Sequence, residues 1–334
     1  MYQPPYPPIP VVQRTPLQEY RRGLRKSVNR LSWIILAGLA LMSLLYMLFP
    51  AILWGIGYPV TDPNFEGFSE EMYFLISCLY YLIGLFFPFF FFQLASGESF
   101  NKAIPFKKFP FRLFFPCIFL GLAVCLAANY PANFVYSLFE YIGLPIKLPE
   151  TPIPTGPIGI ALYVLSISII PALVEEFAFR GVVLSRLRKY GDGFAVIVSS
   201  LLFALFHSNP IQLLFAFICG FILSFLVLRT QNLFPAILIH ALNNACSVLF
   251  ELLYASCEAT VVDQVYTIVF LAVIVLGLAS FLFLAIREKG FFRPSRETFP
   301  VRLSTRFGTL FANPGFWALL VNLVATTVLM TVSF

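Results

Sequence analysis

Charge is what this sequence has least of: aspartate, glutamate, lysine and arginine make up 11% of its 334 residues, while 59% are apolar. An ordinary globular protein carries about a quarter charged and about half apolar residues, so a soluble fold with one buried core is excluded. Histidine is scarcer still, with two in the whole chain. Of six cysteines, Cys78, Cys117, Cys125, Cys219 and Cys246 lie in apolar runs and Cys257 stands alone in a short loop. No CxxC or other ligand-type spacing occurs, which excludes a cysteine metal knuckle and reads as buried thiols. No internal repeat is visible, nor any soluble segment large enough for a separate core. The formal charge of +6 does not point to nucleic acid, because the basic residues flank hydrophobic spans.

What the sequence has in abundance is long apolar runs. A helix needs about 20 apolar residues to cross roughly 30 Å of hydrocarbon. Candidates fall near 31–55, 72–97, 112–139, 158–187, 193–207, 210–229, 234–254, 264–286 and 314–333. The expected fold is therefore all-α, a polytopic membrane helix bundle with an eight-helix core and a ninth, C-terminal span. Residues 1–30 read as a proline-rich, basic cytoplasmic tail without the apolar core of a cleavable signal. Residues 31–287 form the transmembrane core, and 288–334 a basic and aromatic loop followed by the additional span. The stretch Lys289 to Asn313 suits either the headgroup interface or an ordinary loop.

The loops alternate in sign. Arg21, Arg22, Arg25, Lys26 and Arg30 precede the first span, and Asp62, Glu66, Glu70 and Glu71 follow it. Lys102, Lys107, Lys108 and Arg112 are basic again, as are Arg186, Arg188 and Lys189, while Glu251, Glu258 and Asp263 are acidic. The positive-inside rule then places the amino terminus in the cytoplasm and predicts an integral, multi-pass membrane protein with the lipid bilayer as its solvent.

Against that background a few polar residues stand out. The fourth span reads Pro171-Ala-Leu-Val-Glu175-Glu176-Phe-Ala-Phe-Arg180-Gly181. Each ionisable group at depth costs roughly 2.5–3.5 kcal/mol on insertion scales, so such residues face a cavity or a partner. Glu176 and Arg180 share a helix face and are expected to pair. Glu175 is rotated about 100° from Glu176, free to address another pocket as a general base, unless all three form one structural ion-pair network. The fifth span ends on Phe203-x-x-x-His207, and the seventh carries His240-x-x-x-Asn244. A ring nitrogen and a carboxamide one turn apart can act as paired donors to a developing oxyanion.

These three motifs, in this order on separate spans, resemble those of the CPBP family, the CAAX-processing proteases and bacteriocin-associated Abi proteins. The resemblance covers about 157–254, with no departure at the motif positions. It implies an intramembrane endopeptidase hydrolysing a membrane-associated, prenylated or secreted-precursor peptide. Glu175 with His207 would activate water, His240 and Asn244 would hold the oxyanion, and Glu176 with Arg180 would brace the site. An older reading of such motifs makes the glutamates and histidines zinc ligands. The metal-free version is preferred here, because a zincin site needs two histidines one helical turn apart with a glutamate base. A silent scaffold or bacteriocin-immunity protein, or a transporter using buried Glu and His as proton relays, keeps the same residues for other ends. The geometry poses one problem. Counted at about 1.5 Å per residue from the cytoplasmic ends, His240 lies roughly 9 Å deep and His207 roughly 20 Å. The turn Ser208-Asn209-Pro210 is expected inside the membrane, where it would draw the two together.

Overall fold

Thr15 starts the first helix with a capping box: its side chain accepts from the Gln18 amide while the Gln18 side chain accepts from the Thr15 amide, and Pro16 occupies the first turn. The computed structural model describes residues 15–57, 69–147, 151–293 and 301–332. The first helix, α1, runs Pro16–Gly55 over 40 residues, about 60 Å, twice the hydrocarbon thickness. Within the expected tail, residues 16–30 continue this helix and carry Arg21, Arg22, Arg25, Lys26 and Arg30, and residues 1–14 lie outside the described residues.

Apart from a single turn at Phe100–Ala103, the remaining helices are α2 Glu70–Ala95, α3 Phe111–Tyr141, α4 Pro157–Tyr190, α5 Asp192–Phe206, α6 Pro210–Thr230, α7 Phe234–Ser256, α8 Ala259–Arg287, α9 Leu303–Phe311 and α10 Pro314–Val332. No strand occurs among the described residues; an isolated bridge joins Phe106 and Asn232. All nine expected apolar segments are helical. Eight of these helices, α10 included, are long and apolar enough to cross a bilayer, so the chain is an integral, multi-pass membrane protein. The exception is α5. Its 15 residues rise about 22 Å, short of a full crossing, as the turn expected after it requires. It stops at Phe206, and the turn at Ser208 and Asn209 leads straight into α6, where the Asn209 side chain caps the Ile211 amide at 2.9 Å. The short helix α9 packs against the bundle. Arg306, Thr309 and Leu310 are buried, and Phe307 packs edge-on against Phe194 at 5.4 Å.

Helices in lipid lack a hydrophobic drive to associate, and small residues let their backbones approach. Here α3 and α8 cross at Gly277, where an added Cβ would lie 2.2 Å from the Ala123 Cβ and 3.1 Å from the Phe119 carbonyl oxygen. At Gly220 of α6 the nearest atom to such a Cβ is the Ser200 Cα of α5, at 3.1 Å. Gly277→Val should destabilise the detergent-solubilised protein by about 1–3 kcal/mol, the usual cost of overpacking. Gly193→Ala, with open space around it, should be neutral; thermal unfolding of both checks the contrast.

Candidate active site

The acidic motif sits about halfway along α4, where the helix is not regular. Leu165–Ile169 and Glu176–Val183 are π-helical, and π segments widen a turn and recur at functional sites. The first docks α4 against α7: the Asn244 side chain donates to the Ile167 carbonyl at 3.1 Å, and the Ser168 hydroxyl donates to the Ala241 carbonyl at 2.7 Å. The second carries the charges. Glu175, Glu176 and Arg180 are 2%, 0% and 1% exposed, a depth at which each carboxylate needs a partner.

Glu176 has two. Its Oε1 accepts from Arg180 Nη1 at 2.7 Å, as the four-residue spacing implies, and from His240 Nδ1 at 2.8 Å. The second contact ties α4 to α7 and was not legible in the spacing. The other ring nitrogen of His240 lies 3.9 Å from Glu175 Oε2. His240 thus stands between the two neighbouring carboxylates, hydrogen-bonded to one and facing the other. Asn244 follows one turn later, but its amide reaches back to α4 as well as standing beside His240. One of its two N–H groups is committed to Ile167, and its oxygen accepts from Asn243 at 3.4 Å.

His207 approaches from another side. It forms the carboxyl-terminal cap of α5, and its Nδ1 lies 2.9 Å from the Phe203 carbonyl oxygen. A carbonyl only accepts, so Nδ1 carries the proton and Nε2 presents its lone pair. The Phe203 ring organises the group. The Arg180 guanidinium lies 4.1 Å over its face, and the His207 and His240 rings meet it edge-on at 4.7 Å and 6.3 Å. Glu175, His240 and Arg180 all lie close enough to act on His207 electrostatically. The early end of α5 is what lets His207 meet residues nearer the membrane middle.

One participant escaped sequence reasoning. Tyr81 of α2 lies near enough to Glu175 to interact with it. It lies just before a third π segment, Leu82–Phe86. Nothing distinguishes it in the sequence from the other aromatics of a span rich in them.

Among the described residues no three His, Cys, Asp or Glu side chains form a group that could hold a metal ion. The Nδ1 atoms of both histidines are committed to Glu176 and to Phe203.

Removing one member of a buried ion pair leaves the other uncompensated, at about 3–5 kcal/mol. Arg180→Ala should therefore cut the yield of folded, monodisperse protein in detergent, as size-exclusion chromatography would show. Full stability with activity lost would instead place Arg180 in the reaction.

Residues 157–246 match the family model described as type II CAAX prenyl endopeptidase Rce1-like. The membrane-embedded CAAX protease MroQ of Staphylococcus aureus (strain USA300) is 36% identical over 101 residues, 28% of this chain and 41% of that protein. YdiL of Bacillus subtilis (strain 168), a candidate membrane peptidase, is 30% identical over 95 residues, 28% of this chain and 39% of that protein. The chain thus spans about two fifths of the length of these curated relatives, and no solved structure matches it. All seven motif residues, from Glu175 to Asn244, fall inside the matched segment, and over residues 157–246 the similarity to the CAAX-protease family that the motifs imply is shown.

Proposed function

We propose that this protein is an intramembrane endopeptidase that cleaves a membrane-associated protein or peptide, prenylated or drawn from a secreted precursor. The observation that carries the reading is the meeting of Glu175, Glu176, Arg180 and His240 in one buried network, with His207 across the Phe203 ring. The network lies within the segment that matches a CAAX endopeptidase family. The names of the two relatives point to the same chemistry.

In this reading Glu175 is the general base and His207, with a free Nε2 lone pair, orients the water. As the water oxygen bonds to the peptide carbonyl carbon, its proton passes to Glu175 and the carbonyl oxygen becomes an oxyanion. His240 Nε2 and the uncommitted Asn244 N–H are the donors for that oxygen. Because Nδ1 already donates to Glu176, His240 donates from Nε2 only when the ring holds both protons. Collapse of the tetrahedral intermediate breaks the C–N bond, and the proton on Glu175 goes to the leaving amine. Glu176 and Arg180 hold His240 in place. Tyr81, beside Glu175, limits the positions its carboxylate can take. No metal is needed for any of these transfers. By the charge alternation of the loops, the amino terminus faces the cytoplasm.

Glu175→Gln keeps size and hydrogen-bonding shape but removes the proton acceptor. Cleavage of a panel of prenylated and leader-type peptides in proteoliposomes should fall by about 10² to 10⁴, the range for loss of a general base, with folding intact. Strong chelators should leave the wild-type rate unchanged, whereas a zinc site would lose activity and regain it on zinc addition. A wild-type protein that cleaves nothing in the panel, with a physiological effect indifferent to Glu175→Gln, leaves a scaffold instead.

A further inference from the structure

The residue after His207 is held in a conformation that its own chemistry does not favour. Ser208 has φ of 51°, the left-handed region that residues with a side chain adopt only when their surroundings impose it. The turn has only three residues between Phe206 and Pro210. At this depth its backbone polar groups have no lipid partner and must be satisfied within the protein.

The C-terminal helix α10 supplies the partners. Asn322 Nδ2 donates to the Ser208 hydroxyl at 2.7 Å, and Thr326 Oγ1 lies 2.6 Å from the Ser208 carbonyl oxygen. Thr326 also has the Asn322 and Leu323 carbonyls of its own helix at 2.9 Å each. Its single proton follows the shortest path, to Ser208. Asn322 and Thr326 are one helical turn apart and so present a single polar face to the turn. An asparagine in an apolar span is costly unless it meets a partner, and here the partner is the end of α5. The helix is itself anchored to α1: Asn313 donates to the Arg25 carbonyl at 2.9 Å, the Gly315 amide donates to the Asn29 side chain at 3.3 Å, and Leu319 is fully buried. These contacts form a rigid chain from α1 through α10 to the residue adjoining His207.

We propose that Asn322 and Thr326 are positioning residues for His207, so that the site is completed by a helix outside the segment that matches the protease family. By fixing Ser208 they stop α5 at Phe206, and they hold the His207 ring where its Nδ1 donates to Phe203 and its Nε2 faces the reacting group. The role in catalysis rests on the endopeptidase reading above; the positioning itself does not.

The chain has two histidines, so protein labelled with ¹⁵N-histidine gives two imidazole spin systems, assigned by His207→Gln. The wild type should show His207 as the Nδ1–H tautomer. Thr326→Val, which keeps shape and removes the hydroxyl, and Asn322→Leu should each broaden or shift the His207 ring signals and leave those of His240 in place. With a cleaved peptide, kcat should fall on the order of tenfold to a hundredfold at unchanged KM, the scale of a small misplacement of a reacting group. Thr326→Ser should restore both readouts. If Asn322→Leu does not fold, Thr326→Val and Thr326→Ser decide alone. Unchanged His207 signals in a folded Thr326→Val protein would overturn the proposal. Equal disturbance of both histidines that Thr326→Ser does not repair would overturn it too. A wild type that cleaves no peptide would refute the endopeptidase reading, while the imidazole spectra still test the positioning.

Discussion

Two adjacent carboxylates in the middle of a membrane helix set the conditions for the rest of this structure. Both are buried, and successive residues on a helix point about 100° apart, so each needs contacts of its own. The protein divides them. Glu176 is taken up by Arg180 and His240 and becomes the fixed point of the site, while Glu175 is left facing the second ring nitrogen of His240 and Tyr81. Arg180 in turn needs somewhere to spread its charge, and the Phe203 face beneath it provides that. The same phenylalanine, through its carbonyl, orients His207. The ion pair, the cation–π contact and the orientation of both imidazoles therefore form one chain of dependence that starts at Glu176.

The helices achieve this by departing from regularity where the polar groups meet. Three π segments, at Leu82–Phe86, Leu165–Ile169 and Glu176–Val183, lie next to Tyr81, beneath Asn244 and at Glu176 itself. A regular α4 would present the Ile167 carbonyl to its own helix rather than to Asn244. The end of α5 is a fourth departure, tolerated because the irregular backbone faces protein. Helix packing elsewhere is close and ordinary, with glycines at the crossings of α3 with α8 and of α5 with α6. The three π segments found among the described residues all lie at the site or beside it.

Much of this was legible before any coordinates. The membrane class, the positions of the spans and the Glu176–Arg180 pair follow from composition and spacing, because hydropathy and the four-residue repeat are local. The turn at Ser208 was expected from its residues and from the depth mismatch between the two histidines. What could not be read depends on contacts between distant segments. The bond from His240 to Glu176 joins residues on different helices, as does that from Asn244 to Ile167. Tyr81 is one aromatic among many, and Asn322 and Thr326 lie far along the chain from the turn they hold. The capping box that starts α1, by contrast, is local and is present in the sequence at Thr15 and Gln18.

The central claim is that Glu176 and Arg180 act as one unit on which the site is built. A double-mutant cycle with Glu176→Gln, Arg180→Gln and the double variant, read as unfolding free energy in detergent, tests it most directly. If the pair is one unit, each single change strands a buried charge, and the double variant should lose clearly less stability than the two single losses combined. Losses that simply add would mean that the two residues are stabilised independently and would contradict the account.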